Sequence, residues 1–334
     1  MSTSVETVKP LAESPARGLP PVAPKPRKKV RWYEVGLFTG PALLVYIAFV
    51  FVPVAFAIAM SLFAGSPIRP LTNFVGFDNF VAIFTGNRIP GLPFFWDTLR
   101  NNALIAVLSL VIQGPIAISV ALLLNRKLKF RGLIRTLIFV PWVLSEVITA
   151  VIFQMLLAPN GAMSVWFSRL GMHEAAGTMW LADIGSGGIR SHTFWVLMMV
   201  LTWKYIGLAI ILFLAGLSGI PDELTEAAQI DGASWWQIQR RITLPLLGPT
   251  VRIWAFLSII GSFQLFDMVW ILTRQNPTIV GLDTMATYMW QMGVNRNRVG
   301  YGSAVALVLF AITLIIGLSY QRLILKRDVG KRAD

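Results

Sequence analysis

Six apolar runs decide what this 334-residue chain can become. They lie at 37–62, 103–124, 133–157, 194–217, 250–272 and 303–325. Each is near or above the roughly 20 residues that cross about 30 Å of hydrocarbon. Inside a bilayer every backbone amide needs a partner from the chain itself, and runs of this length meet that need as helices. The sequence therefore predicts an all-α polytopic membrane protein with six transmembrane helices. Charged residues make up only 13 % of it, against about 25 % in soluble domains. Pro41, Pro53, Pro115 and Pro141 fall inside the runs, where neighbouring helices can re-satisfy the freed carbonyls.

The net charge of +13 sorts by loop. Of 29 Lys and Arg, twenty fall in the N-terminal tail, the second and fourth connections and the C-terminal end; eight fall in the alternate connections, and Lys204 lies within a run. Basic excess marks the cytoplasmic side. Both termini and the 218–249 loop are thus expected in the cytoplasm, and the charge reads as membrane topology rather than nucleic-acid binding. Residues 1–31 hold six prolines and end in a basic run, so they read as a disordered tail whose charge attracts anionic membrane lipids. The six-helix domain then spans 32–327, with a short cytoplasmic tail at 328–334. The absence of cysteine removes disulfides, thiolate metal sites and cysteine nucleophiles. The first run is too long for a signal-peptide core, and no small-residue cleavage pattern follows it.

The 218–249 loop is the most structured of the polar connections. Pro221 suits a first helical position, and Asp222 and Glu223 suit the positive end of the helix dipole. Ala227 and Ala228 extend that helix. Asp231-Gly232 signals a turn in which Gly takes a positive φ. Ser234 opens a second helix, with Gln237 completing a capping box, and Pro245 and Pro249 end it. The loop reads as helix, tight turn, helix, with small residues around the turn.

Glu226-Ala227-Ala228, Asp231-Gly232-Ala233 and Ile242-Thr243-Leu244-Pro245 together resemble the EAA signature of permease subunits from ATP-binding cassette (ABC) importers. Phe74-Val75-Gly76-Phe77-Asp78-Asn79-Phe80, the stretch from Arg135 to Pro141-Trp142, Phe266-Asp267 through Thr273, and Gly300-Tyr301-Gly302-Ser303-Ala304 agree with the carbohydrate-uptake branch. The resemblance covers roughly 37–325. It implies the type I importer permease fold, with the loop forming a coupling helix on a cytoplasmic ATPase. By that likeness Glu226 would pair with the ATPase, Gly232 would allow the close turn, and Ala227, Ala228 and Ala233 would permit close packing. The implied partners are two ABC ATPase subunits that bind ATP-Mg, a second permease subunit and an extracellular solute-binding protein. The implied location is a bacterial or archaeal cytoplasmic membrane.

Ionisable residues inside spans are costly and point to function. Lys204 beside Trp203 in the fourth run and Glu146 in the third stand out, and the two are candidates to pair with each other. Ser258, Ser262 and Gln264 lie in the fifth run, the two serines one turn apart. By likeness to the maltose-type relatives, Trp203, Tyr205, Ser258 and Ser262 correspond to a midmembrane sugar pocket. At positions where that pocket uses amides and an extra aromatic, this chain has Leu201, Leu208 and Leu265. The same polar residues can instead act as helix–helix contacts.

No Gly-rich phosphate loop ending in Lys and Ser or Thr is present, so the chain is expected to bind no cofactor and to hydrolyse no ATP itself. His173 and His192, the two histidines, share one outer connection, which offers nothing to an intramembrane protease. An ion-coupled carrier using Glu146 would be the alternative transporter. The sequence leaves open whether the cargo is a monosaccharide, an oligosaccharide, a polyol or a glycerol phosphate.

Overall fold

The computed structural model describes residues 32–85, 95–126, 129–181, 188–273 and 282–322. The tails expected at 1–31 and 328–334 lie outside them. The chain divides between Val52 and Pro53 into two units. The first contains the helix Trp32–Tyr46, with Pro41 inside it, and a π-helical turn at Ile47–Phe51. The second contains the rest. Among the described residues the fold is helical, with no strand and one isolated bridge between Phe63 and Phe74.

Among the described residues four helices are long and apolar enough to cross a membrane: Gly36–Ser61, Phe95–Leu124, His192–Leu217 and Val299–Tyr320, here spans 1, 2, 4 and 6. Span 3 is a bent pair, Arg131–Val143 and Glu146–Leu156, broken by 94°. Span 5 is Gly248–Gln264, which meets the preceding segment Trp235–Leu246 at 64°.

The two breaks correct the reading of 133–157 and 250–272 as continuous helices. At Leu144 and Ser145 the backbone turns extended, with ψ of 144° and 145°. At Leu265 it does so again, with ψ of 113°, and a short helix Asp267–Thr273 follows. The pieces beyond the breaks, Glu146–Leu156 and Asp267–Thr273, pack against each other. Gln154 Nε2 donates to the Ile271 carbonyl at 3.0 Å across that contact. Apolarity alone favours one long helix, but a break persists where distant side chains satisfy the carbonyls it frees.

Three prolines are accommodated by π-turns. Ile47–Phe51, Ser109–Gln113 and Gln239–Thr243 each end two residues before a proline: Pro53, Pro115 and Pro245. In each the next amide donates five residues back, as Gly114 does to Ser109. Proline supplies no N–H and its ring crowds the carbonyl four residues earlier; widening the turn relieves both problems inside one helix. Pro245 and Pro249 accordingly do not end the loop's second helix. They lie within first turns, and the bend falls at Leu247.

Span 4 is the axis of the second unit. It is buried on several sides, from Phe194 and Leu197 through Gly207 and Ile210 to Phe213 and Leu217, as a helix without a polar face must be. A Cβ on Gly207 would collide with the Ile138 backbone, so glycine lets spans 3 and 4 cross closely. At the end nearest the 218–249 loop, Phe213, Leu214 and Leu217 pack with Ala117, Ala121, Leu124, Leu247 and Trp254.

Candidate functional site

Two regions hold the residues singled out by sequence. The first is the loop. Its helix runs Asp222–Ile230, with Pro221 one position earlier than expected, as the residue before the helix. The Asp231 amide donates to Ala227 at 3.0 Å, Gly232 to Gln229 at 3.0 Å and Ala233 to Ala228 at 2.9 Å. This is a Schellman termination, and it needs a left-handed residue; Gly232 supplies it at φ +80°. A Cβ there would meet open space, so the requirement is conformational rather than steric. Ser234 and Gln237 form the expected capping box, with the Ser234 amide donating to Gln237 Oε1 at 2.7 Å.

Glu226 and Ala227 are exposed on the first helix, beside Ile230, which is 86 % exposed. Trp236 is 74 % exposed on the second segment, and Leu244 and Pro245 are exposed further along it. Ile230, Trp236 and Leu244 are thus large apolar side chains left exposed on a polar loop. A hollow of about 280 Å³ opens between the segments, lined by Asp231, Gly232, Ala233, Gln237, Ile238, Arg241 and Ile242. The Arg126 guanidinium, from the end of span 2, lies 4.6 Å over the Trp235 ring, so the loop is also held from the neighbouring connection.

The second region is a cavity of about 260 Å³ among spans 2, 3, 4 and 5. Tyr205, Ser258 and Ser262 line it as expected, and so do Leu201, Leu208 and Leu265. Trp203, Lys204, Gln264 and Glu146 do not. Trp203 is 41 % exposed and meets Phe153 edge-on, and Gln264 is exposed. The sequence reading missed Ser109, Gln113, Trp142 and Trp254, which complete the wall. Ser109 and Gln113 are polar residues four apart in an apolar run, just before Gly114-Pro115; that was the available signal.

Glu146 and Lys204 are brought together at the break of span 3, but not as the direct pair expected. The buried Lys204 ammonium donates to the Leu144 carbonyl at 2.5 Å. The Tyr205 hydroxyl donates to the Glu146 carboxylate, and the Lys204 ammonium lies 5.7 Å from the Tyr205 ring centre. Tyr205 also packs on Trp142, with ring centres 5.4 Å apart. One wall of the cavity is thereby fixed to the break.

A polar clasp, also missed, joins spans 2 and 5 to the segment 283–291. Asn102 Nδ2 donates to the Ser262 carbonyl at 2.6 Å, and its Oδ1 accepts from the Met285 amide at 2.8 Å. Thr284 Oγ1 donates to the Leu265 carbonyl at 2.7 Å. Asp283 Oδ1 accepts from Thr287 Oγ1 at 3.0 Å and Gln291 Nε2 at 2.7 Å. Burial pushes the Asp283 carboxyl up to about 6, against the pull of those two hydrogen bonds.

A family profile described as "Binding-protein-dependent transport system inner membrane component" matches residues 113–329. The arabinooligosaccharides transport system permease protein AraP of Bacillus subtilis is 32 % identical over 288 residues, covering 84 % of this chain and 85 % of that one. The trehalose/maltose transport system permease protein MalF of Thermococcus litoralis is 29 % identical, covering 87 % and 94 %. The lactose transport system permease protein LacF of Rhizobium radiobacter is 32 % identical over 255 residues, covering 73 % and 78 %. A crystal structure of a bacterial ABC transporter that imports the acidic polysaccharide alginate contains a chain of the same fold, with a TM-score of 0.72 at 24 % identity, covering 88 % of this chain and 96 % of that one.

Proposed function

This chain belongs to the binding-protein-dependent transport system inner membrane components, the permease subunits of ABC importers, and from that membership we propose that it carries a carbohydrate across the cytoplasmic membrane. The relatives' cargoes support the reading: arabinooligosaccharides, trehalose or maltose, and lactose. The chain works without catalysis of its own. Two ATPase subunits bind and hydrolyse ATP-Mg, a second permease completes the pathway, and an extracellular solute-binding protein delivers the cargo. The termini and the 218–249 loop face the ATPases.

The observation that carries the coupling role is the Schellman-terminated helix Asp222–Ile230 with its exposed apolar side chains. Glu226, Ala227, Ala228, Asp231, Gly232 and Ala233 shape the docking face, and Leu244 and Pro245 begin the return to the membrane. Movement there has a short route inward. Leu247, fully buried among Phe213, Leu217 and Trp254, is the pivot between the loop and span 5. Span 5 carries Ser258 and Ser262 into the cavity. ATPase closure thus tilts the cavity wall that faces Tyr205. Lys204 and Glu146 act from behind the opposite wall, that of Tyr205 and Trp142, by holding the break of span 3. Trp203 and Gln264 lie outside the cavity, next to residues that line it.

The test uses the cysteine-free chain as its own blank. Ala227→Cys, combined with single cysteines in the groove of the partner ATPase, should give a crosslink in the assembled transporter. Efficient crosslinking from the opposite loops and none from position 227 would reverse the assignment of sides.

A further inference from the structure

The 218–249 loop is split by charge. Its acidic residues, Asp222, Glu223, Glu226 and Asp231, lie on the first helix or at its end, and its basic residues, Arg240 and Arg241, lie on the second segment. That segment, Trp235–Leu246, meets span 5 at 64°. A segment bent so far from a membrane-crossing helix runs along the bilayer surface rather than through it. Its depth is fixed at both ends. Leu247 packs with Leu124 and Leu217, the last residues of spans 2 and 4. The Arg126 guanidinium, two residues past span 2, lies over the Trp235 ring. The segment is therefore level with the ends of two spans, where hydrocarbon gives way to headgroups.

It is also two-faced. Ile238, Thr243 and Leu247 are buried, and the π-turn Gln239–Thr243 keeps the first two on one side although they are five residues apart. The other side carries Trp236, 74 % exposed, and Arg240, four residues on and exposed. An exposed aromatic beside bases recurs at the start of span 3, where Phe130 stands between Lys129 and Arg131. The chain has no acidic residue from Arg126 to Arg135 or from Gly232 to Leu247. Among the described residues Arg131, Arg240 and Arg241 have no ion-pair partner. Tryptophan settles at the headgroup level of a bilayer, and a guanidinium matches the geometry of phosphate. We propose that the exposed face of Trp235–Thr243 docks on anionic phospholipid, with Arg240 and Arg126 holding headgroup phosphates and Trp236 entering the headgroup layer. The charge split then gives the two halves of the loop different partners: the acidic helix meets the ATPase, and the basic segment meets the lipid. The site rests on the reading of this loop as the ATPase-facing one, and it gives the pivot at Leu247 an arm held at the bilayer surface.

The experiment uses the complete transporter, ATPases included, in phosphatidylcholine vesicles holding a trace of phosphatidylglycerol with a photoreactive group near its headgroup. Light should attach the probe to residues 235–244 and to the end of span 2, as mapped by mass spectrometry. Unlabelled phosphatidylglycerol should compete, and soluble inorganic phosphate should not. A phosphatidylcholine probe with the same photoreactive group should label the segment several-fold less. Arg240→Gln, at an exposed position with no ion pair to lose, should lower labelling roughly fivefold, the worth of one basic residue at an anionic surface. Arg296→Gln, an exposed base in another connection, should leave it unchanged. Labelling that misses the segment, that Arg240→Gln leaves intact, or that the phosphatidylcholine probe matches overturns the site. Displacement by inorganic phosphate overturns it too, because the site then takes a free anion and not a lipid. So does crosslinking of Trp236→Cys to the ATPase groove as efficient as that of Ala227→Cys, which would put the ATPase on this face. Loss of the Ala227→Cys crosslink with lipid labelling intact would instead overturn the coupling reading and leave the lipid site standing.

Discussion

Lys204 in span 4 donates its ammonium to the carbonyl of Leu144, the residue at which span 3 stops being a helix. A cation inside a membrane domain is thus spent on a backbone acceptor that no helix supplies with a donor. Replacing it with Met leaves that carbonyl without its donor and leaves Glu146 without nearby positive charge. Lys204→Met should destabilise the protein by about 1.5–3 kcal/mol, the range for a hydrogen bond to a charged group. Thermal unfolding in detergent reads this; an unchanged melting temperature would show that the contact contributes nothing.

The Tyr205 hydroxyl and the Glu146 carboxylate form the second tie across the same break. Tyr205→Phe and Glu146→Leu should each lower stability, and the double variant should cost less than the sum of the two. The expected coupling is roughly 1–3 kcal/mol. A double-mutant cycle in thermal or denaturant unfolding checks it, and additive losses would mean that the two side chains act independently.

At Gly232 the constraint is a left-handed backbone in open space. Gly232→Ala should cost about 1–2 kcal/mol, and Gly232→Asn less, because Asn tolerates that conformation. Gly232→Asp, which also places a carboxylate on the docking face, should abolish uptake and ATPase stimulation with normal membrane insertion. Uptake assays alongside surface labelling separate these outcomes. Full uptake by the Asp variant would remove the loop from the coupling path.

Burial raises the Asp283 carboxyl from 3.8 to about 6. The folded protein therefore holds that proton more tightly than the unfolded chain. The group's contribution to stability is complete below about pH 4 and falls as pH rises to about 6. Asp283→Asn should remove that slope, so melting temperatures between pH 4 and 6 should fall less steeply with pH than in the unmodified protein. Identical slopes would place the titration elsewhere.

Much of this was legible in the chain. The apolar runs located the spans, and Asp231-Gly232 with Ser234 and Gln237 specified the turn and capping box, because these depend on neighbours in sequence. The breaks at Leu144 and Leu265 were not read, since Leu, Val and Phe continue the apolar pattern through them. Their carbonyls are satisfied by Lys204 and Thr284, far away in the chain. A local trace existed: Ser145-Glu146 and Phe266-Asp267 place an acidic residue at a helix start. The inward face of span 2 escaped for a similar reason. Ser109 and Gln113 lie four apart and share one face even in an unbroken α-helix, but what they face, Tyr205, Trp254 and Ser258, is far away in the chain.

The central claim is that this chain moves sugar with work received through the 218–249 loop. Uptake of a labelled neutral sugar into proteoliposomes holding the complete transporter tests it most directly. The account predicts uptake only with ATP on the loop side and binding protein on the other, and none with Gly232→Asp. Uptake driven by a proton or sodium gradient without ATP would contradict it.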